Sequence, residues 1–432
     1  MQNAKGIFQK ASSKIKFHIV LKKKKIRMMV ARESLYYALY YPLTIHTPFR
    51  NLVHVTLHEC KFNFLPKEFG TLHHLQEITL SSNYVVNTIQ SAWEWLEQDF
   101  MRNNLKSLKI MHYDLPELPL QITCLKNLTN LYMTSLRISS LPKEFGNLPL
   151  LHLDLSYNNL RGSEQFAWEW LMQAPIRNNL RELNLNHNYI KFLPKELGTL
   201  PHLMYLDLSS NHLGKYNRKA WEWLEQTEVK NKLLGLYLSD NLLTELPPQI
   251  GKLNALFTLW LAGNKLKCLP QSIANLENLR LLDLSDNDLL YLPGSVSHLK
   301  AYIYVDGNPF NLMIDDDSDD DSDDDSDNNS GDDLTTNLEV PSLVDCSAEI
   351  ILKYGLDYAN YGLPEGLIRY MDNERHCLLC NNPCFRYYEK GFINYPEYYE
   401  ILHIKFYGSS SIQTASFECY VCSSDCAEML RN

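Results

Sequence analysis

One phrase, L-x-x-L-x-L-x-x-N-x-L-x-x-L-P, recurs along residues 52 to 310 and leaves little freedom in how this chain can fold. It is clearest at Leu256, Leu259, Leu261, Asn264, Leu266, Leu269 and Pro270. It returns 23 residues later at Leu279, Leu282, Leu284, Asn287, Leu289, Leu292 and Pro293. A fixed period of that size is the mark of a solenoid. Leu-x-Leu alternates along a short strand, so the leucines enter one continuous core and the residue between them points outward. The asparagine satisfies backbone groups where the chain turns off the strand, and successive copies stack as a ladder. No single coil buries enough surface to stand alone, so stability comes from stacking neighbours.

The ladder position is occupied by Cys60, Asn83, Tyr113, Leu136, Asn158, Asn188, Asn211, Asn241, Asn264, Asn287 and Asn308, which predicts eleven coils. Three coils are stretched to about 30 residues by an Ala-Trp-x-Trp-Leu insert, at Ala92–Leu96, Ala167–Leu171 and Ala220–Leu224. Good helix formers surround each insert, which reads as a helix on the convex side with Trp168 and Trp221 packed inward. The repeated wording resembles the leucine-rich repeat. Leu141-Pro142-Lys143-Glu144-Phe145-Gly146 is similar to the intracellular Ras-suppressor-like class of that repeat. The resemblance implies an α/β solenoid, a horseshoe of about eleven coils, acting as a cytoplasmic protein-binding scaffold and bringing no catalytic residues.

The flanks divide the chain further. Residues 1–33 are basic, with Lys22–Lys25 and Arg27, and read as a disordered arm or a nuclear-localisation or organelle-targeting signal. Phe17 to Leu21 is too short for a secretory h-region, and Met28 or Met29 offers an alternative start. Residues 34–51 suit a cap over the first coil, and 52–311 hold the repeats. Residues 312–339 carry the run Asp315 to Asp327 and read as a solvated linker, because nothing apolar interrupts that run. Ser318, Ser322 and Ser326 each precede acids, the setting that acidophilic kinases prefer. That segment accounts for the net charge of −10, so the remainder offers no general bias towards nucleic acid. No stretch approaches the roughly 18 apolar residues of a membrane span.

Residues 340–432 form a second kind of module, a small α+β unit. Two short helices are expected, after Pro341-Ser342-Leu343 and after Pro364, followed by strands around 385–388, 401–407 and 417–421. Cys377-x-x-Cys380 and Cys422-x-x-x-Cys426 supply four thiolates in two close pairs, the donor set of one structural Zn2+ per chain. Cys422-Ser423-x-x-Cys426 opening a helix resembles the second half of FCS-type treble-clef fingers. Val421 stands where that pattern expects an aromatic, so Cys419 remains an alternative to Cys426. A second, cross-braced zinc would call on His376, Cys384 and His403, but the ordered alternation of eight ligands is missing. Ser342-Leu343 followed by Ser347 and Ile351 has the spacing of an elongin-binding box, with Ser347 where that motif wants cysteine. A plain amphipathic helix packing on the zinc module is the simpler reading.

The outward residues of Leu-x-Leu form a column: Thr56, Thr79, Lys109, Tyr132, Asp154, Asn184, Asp207, Tyr237, Trp260, Asp283 and Tyr304. Packing does not dictate their character. Tyr205, Asp207, Tyr237, Trp260, Asp283, Tyr302 and Tyr304 are the candidate partner-binding residues, since exposed aromatics anchor protein interfaces. The competing reading is that the C-terminal module folds back over them. No Gly-rich phosphate loop or Gly-x-Ser-x-Gly elbow is present, so a non-catalytic adaptor with protein partners is expected. The alternative is a substrate receptor of a cullin-type ubiquitin ligase, contacting the ligase adaptor through the C-terminal helices.

Overall fold

The computed structural model describes residues 15–21, 24–30 and 52–310, apart from gaps at 59–64, 66, 82–89, 116, 162–167 and 215–217. It then describes 342–354, 356, 358, 362–385, 389–395, 405–406 and 415–431. The expected cap at 34–51, Cys60, the acidic linker and His403 lie outside these residues. By its contacts the chain divides into two compact units, residues 1–192 with 200–207 and residues 193–199 with 208–432.

In the first unit, seven strands pair in parallel and in sequence order, from Leu52–His58 to Tyr205–Asp207. Their register aligns Thr56, Thr79, Lys109, Tyr132, Asp154, Asn184 and Asp207 as direct partners, which is the expected outward column. The flanking residues Leu57, Ile78, Leu108, Ile110, Leu131 and Met133 are buried. The basic N-terminal segment differs from the disordered arm expected for it. Strands Ile15–Leu21 and Lys24–Val30 form an antiparallel hairpin there, and the first pairs antiparallel with Leu52–His58 through Phe17 and Leu57. Ile15, Phe17, Ile19 and Leu21 alternate with polar residues or Val20, a strand pattern within the basic composition. Such a strand also covers an open sheet edge.

The second unit holds four more parallel strands, Gly235–Tyr237, Thr258–Trp260, Leu281–Asp283 and Tyr302–Tyr304. The two units thus carry eleven repeat strands, one per expected coil. The ladder asparagines from Asn158 to Asn287 are buried and bonded in both units, and Asn308 is half-buried. Asn158 donates to the Met133 and Leu155 carbonyls and accepts from the Leu136 and Ile138 amides. Asn264 donates to Leu238 and Leu261 and accepts from Leu243. Tyr113 and Leu136 occupy the same position as buried hydrophobic residues instead. The residue just before the ladder position takes a left-handed φ, as at Tyr157, His187, Ser210, Asp240 and Asp286, with glycine at 263 and 307.

The tryptophan inserts are mainly 3₁₀ helices, not the expected regular helices. Gln90–Glu97, Glu169–Met172 and Arg218–Glu225 are 3₁₀, each followed by a short α-helix: Asp99–Asn104, Ala174–Arg177 and Thr227–Lys232. The tryptophan buried most deeply is the second of each pair, Trp95, Trp170 or Trp223. Trp221 is buried as expected, but Trp168 is only half-buried, because the tight turn directs the later side chain at the preceding coil. Trp170 meets Phe145 edge-on at 5.6 Å, and Trp95 meets Phe69 at 5.4 Å. These contacts explain the glycine of Leu-Pro-x-x-φ-Gly. A Cβ on Gly146 would lie 2.0 Å from the Trp170 carbonyl oxygen, and one on Gly198 would lie 1.9 Å from that of Trp223.

The C-terminal residues belong to the second unit, so the compact boundary does not coincide with the acidic run. Ser342 and Asp345 form a reciprocal capping box at the start of helix Leu343–Lys353. That helix and Glu365–Asp372 share a small core of Ala348, Tyr358, Ile368 and Met371, lined by Ile351, Leu352 and Phe385. Strand Ala415–Val421 pairs with Glu389–Tyr395 and with Leu292–Pro293 of the last full coil. Of the strand expected around 401–407, the described part is Lys405–Phe406, which pairs with Tyr302–Tyr304.

Candidate partner-binding face and metal centre

Within the second unit, the register aligns Tyr237, Trp260, Asp283 and Tyr304 on one sheet face. Their strand neighbours Leu236, Leu238, Leu259, Leu261, Leu282 and Leu284 are fully buried, which fixes the opposite orientation for the column. Trp260 is 41% exposed and Tyr302 47% exposed. Tyr237 and Trp260 meet edge-on, with centroids 5.4 Å apart and planes at 78°. Asp283 Oδ1 accepts from the Ser285 amide at 3.0 Å. Five of the seven candidate binding residues thus lie in this unit. Tyr205 and Asp207 lie on the last strand of the first unit, where Asp207 accepts from Asn186 at 3.0 Å.

Three further exposed residues next to these strands were not singled out from sequence. Phe257 is exposed, and Asp240 and Asp286 stand on the left-handed turns. The signal was their aligned position after Leu256, or before the ladder asparagine, in consecutive coils.

The described C-terminal elements dock mainly against the 3₁₀ helices Pro248–Lys252, Gln271–Asn275 and Gly294–His298. Gln249 Nε2 donates to Asp372 Oδ2 at 2.8 Å, and Lys252 Nζ lies 3.3 Å from Asp372 Oδ1. Asn275 Nδ2 donates to Glu374 Oε1 at 2.8 Å. Burial pushes the Glu374 carboxyl up to about 7 despite that bond and nearby Lys252. Burial, reinforced by His298, pushes His376 down to about 4. Among the described residues these contacts leave Trp260 41% exposed, while Lys405–Phe406 of the C-terminal segment adds a strand beside Tyr302–Tyr304.

Cys377, Cys380, Cys422 and Cys426 converge, with their Sγ atoms all within 4.8 Å of one another, so these four cysteines could hold a metal ion. The first pair sits on the tight turn closed by the His376–Pro383 bridge, and the second spans the start of helix Ser424–Arg431. Burial opposes ionisation of Cys377, but backbone amides of Cys380, Cys422 and Leu379 outweigh it and bring the thiol down to about 7. Burial raises the Cys380 and Cys422 thiols, which a bound cation would counter. Cys419 stands outside the cluster, against Gly294, and burial pushes it up to about 12. Cys384 is likewise buried outside it. Among the described residues this is the one cluster suited to a metal.

In the elongin-box segment, Leu343 is 83% exposed, Ser347 is exposed and Ile351 is half-buried. The helix buries Asp345 and Ala348 on its other side.

Residues 178–228 and 231–289 match the leucine rich repeat family. Similar proteins include the mouse leucine-rich repeat serine/threonine-protein kinase 1, 28% identical over 38% of this chain and 8% of that protein. Human leucine-rich repeat protein 1 is 36% identical over 21% of this chain and 20% of its own length. The chain therefore spans a fifth or less of these relatives. Among solved structures, a leucine-rich repeat protein of Leptospira interrogans is 24% identical, covering 63% of this chain and 89% of that one, with a TM-score of 0.35. The plant peptide hormone receptor RGFR1 in complex with RGF2 is also 24% identical, covering 60% and 48%, with a TM-score of 0.42.

Proposed function

We propose that this chain is a non-catalytic scaffold that captures a protein partner on the open sheet face around Trp260. The observation that carries the reading is the exposed Tyr237–Trp260 pair, set on strands whose alternate residues are fully buried. Large aromatics on a rigid platform lose little conformational freedom on binding and supply much contact area. Trp260→Ala with Tyr237→Ala should abolish partner capture from a lysate of the source cells while circular dichroism and melting stay unchanged. Unchanged capture by the folded double variant refutes the reading.

The four-cysteine cluster supports a closed structural zinc. An all-thiolate set suits Zn2+ and keeps no open position for chemistry. A reducing cytoplasmic setting would keep these four thiols available to the metal.

A second reading rests on the exposure of Leu343, Cys346, Ser347 and Ile350 along one helix. Under it, that helix holds a ubiquitin-ligase adaptor while the sheet face reads the substrate. Recovery of elongin and a cullin with the wild-type chain, and their loss with Leu343→Ala, supports it; failure to recover them with the wild type sinks it.

A further inference from the structure

The sheet face of the second unit has a charge character that its aromatics alone do not explain. The outward and turn residues of its four coils lie in the segments 237–240, 260–263, 283–286 and 304–307, which read YLSD, WLAG, DLSD and YVDG. They contain four aspartates and no lysine or arginine. Arg280, just before one of these strands, is turned to carbonyls of its own coil, those of Glu277 and Leu279. Around Trp260 these segments are therefore aromatic and acidic together, and Lys405, the register partner of Tyr302, stands on the outer strand of the sheet.

The aspartates are placed by the fold. Asp283 is the cross-strand partner of Trp260, about 5 Å away along the sheet. Its Oδ1 is tethered to the Ser285 amide, which fixes the carboxylate on the outward face. Asp240 and Asp286 sit on left-handed turns, and each carboxylate leans over the glycine of the following coil. A Cβ on Gly263 would meet Asp240 Oδ1 at 2.4 Å, and one on Gly307 would meet Asp286 Oδ1 at 2.2 Å. Glycine in alternate coils thus makes room for the neighbouring carboxylate.

We infer that the partner of this face is a basic peptide segment carrying arginine, one guanidinium lying on Trp260 and bonding to Asp283, with Asp240 and Asp286 receiving further cationic side chains. This rests on the proposed binding role of the face and names the chemistry of its occupant. Arginine fits better than a neutral or acidic segment for two reasons. A guanidinium is attracted to the face of an indole ring and presents a planar fork to a carboxylate. An acidic ligand would meet four like charges and find no lysine or arginine in these segments.

The test uses the full chain and two fluorescein-labelled peptides of twelve residues, one alternating arginine with serine and one alternating citrulline with serine. Citrulline keeps the shape and removes the charge. Anisotropy titrations at physiological ionic strength should show the arginine peptide binding at least about tenfold more tightly than the citrulline peptide. Trp260→Ala, and separately Asp283→Asn with Asp286→Asn, should each weaken the arginine peptide about tenfold, while Trp260→Phe retains part of the affinity. No binding of the arginine peptide, equal binding of both peptides, or variants that bind as the wild type does (the acidic run then being the site) overturns the inference. Capture of the cellular partner separates this from the broader reading. If Trp260→Ala abolishes capture and the asparagine changes leave it intact, the face is the binding site but its ligand is not cationic. If Trp260→Ala leaves capture intact, both fall.

Discussion

The side-chain amide of Gln249 donates to the carboxylate of Asp372 at 2.8 Å, joining residues 123 positions apart. Asp372 also accepts from the Tyr358 hydroxyl at 2.8 Å and neutralises Lys252. One buried carboxylate thus ties the C-terminal helices to a coil of the same unit. Asp372→Ala should destabilise this docking by about 2 kcal/mol or more, since it strands several polar groups at once. Limited proteolysis should then release the C-terminal residues at lower temperature than in the wild type; unchanged protection would show that the strand Ala415–Val421 alone holds them.

Glu374 supplies a pH test at the same seam. Its folded-state affinity for a proton is raised to about 7 from an ordinary 4.5, mainly by burial. The stability this contributes is complete below about 4.5 and is lost as pH rises through 7. His376 runs the other way, because its proton affinity is lowered to about 4, so the wild-type curve alone mixes the two. Comparing Glu374→Gln with wild type isolates the carboxyl. The variant should match wild type at pH 5 and exceed it at pH 8 by on the order of 1–3 kcal/mol. A difference that stays flat between those pH values contradicts the assignment.

Gly146 tests the packing of the tryptophan coils. Gly146→Ala places a methyl group against the Trp170 carbonyl and should cost about 1–3 kcal/mol of stability in thermal melting of the chain. Gly366→Ala, where the added Cβ meets nothing within 4 Å, is the control. Equal effects would mean that the close approach is not what requires glycine.

Much of this architecture was legible because it is periodic. Leu-x-Leu and the ladder asparagine impose one role on every coil, so register, outward column and coil number could be read directly. The cysteine pairs were legible through spacing, and the structure gathers the expected four while leaving Cys419 against Gly294. What escaped was either non-local or masked by composition. The Gln249–Asp372 and Asn275–Glu374 bonds join distant residues without any repeating signal. The hairpin at 15–30 lay within a lysine-rich stretch whose charge suggested disorder, although its apolar alternation is that of a strand. The depth of Trp170 relative to Trp168 depends on a 3₁₀ turn that helix propensity does not distinguish.

The cysteine cluster should bind one zinc per chain. Cys426→Ser should abolish binding and Cys419→Ser should retain it; the reverse result would exchange the fourth ligand. Chelation should loosen residues 372 to 429 while the repeats keep their melting transition, because metal binding and folding are coupled in small metal modules and the coils have a core of their own. Metal analysis finding no zinc in carefully reduced protein would remove the site.

The most direct measurement of the proposed binding face is site-specific photocrosslinking in the source cells, with p-benzoylphenylalanine at exposed position 257, three residues before Trp260, and, as a control, at exposed position 172 on a 3₁₀ helix. A discrete adduct is expected from position 257, absent from 172, and lost when Trp260→Ala is added. An adduct from 172 but not from 257, or one from 257 that persists without Trp260, would contradict the proposed role of this face.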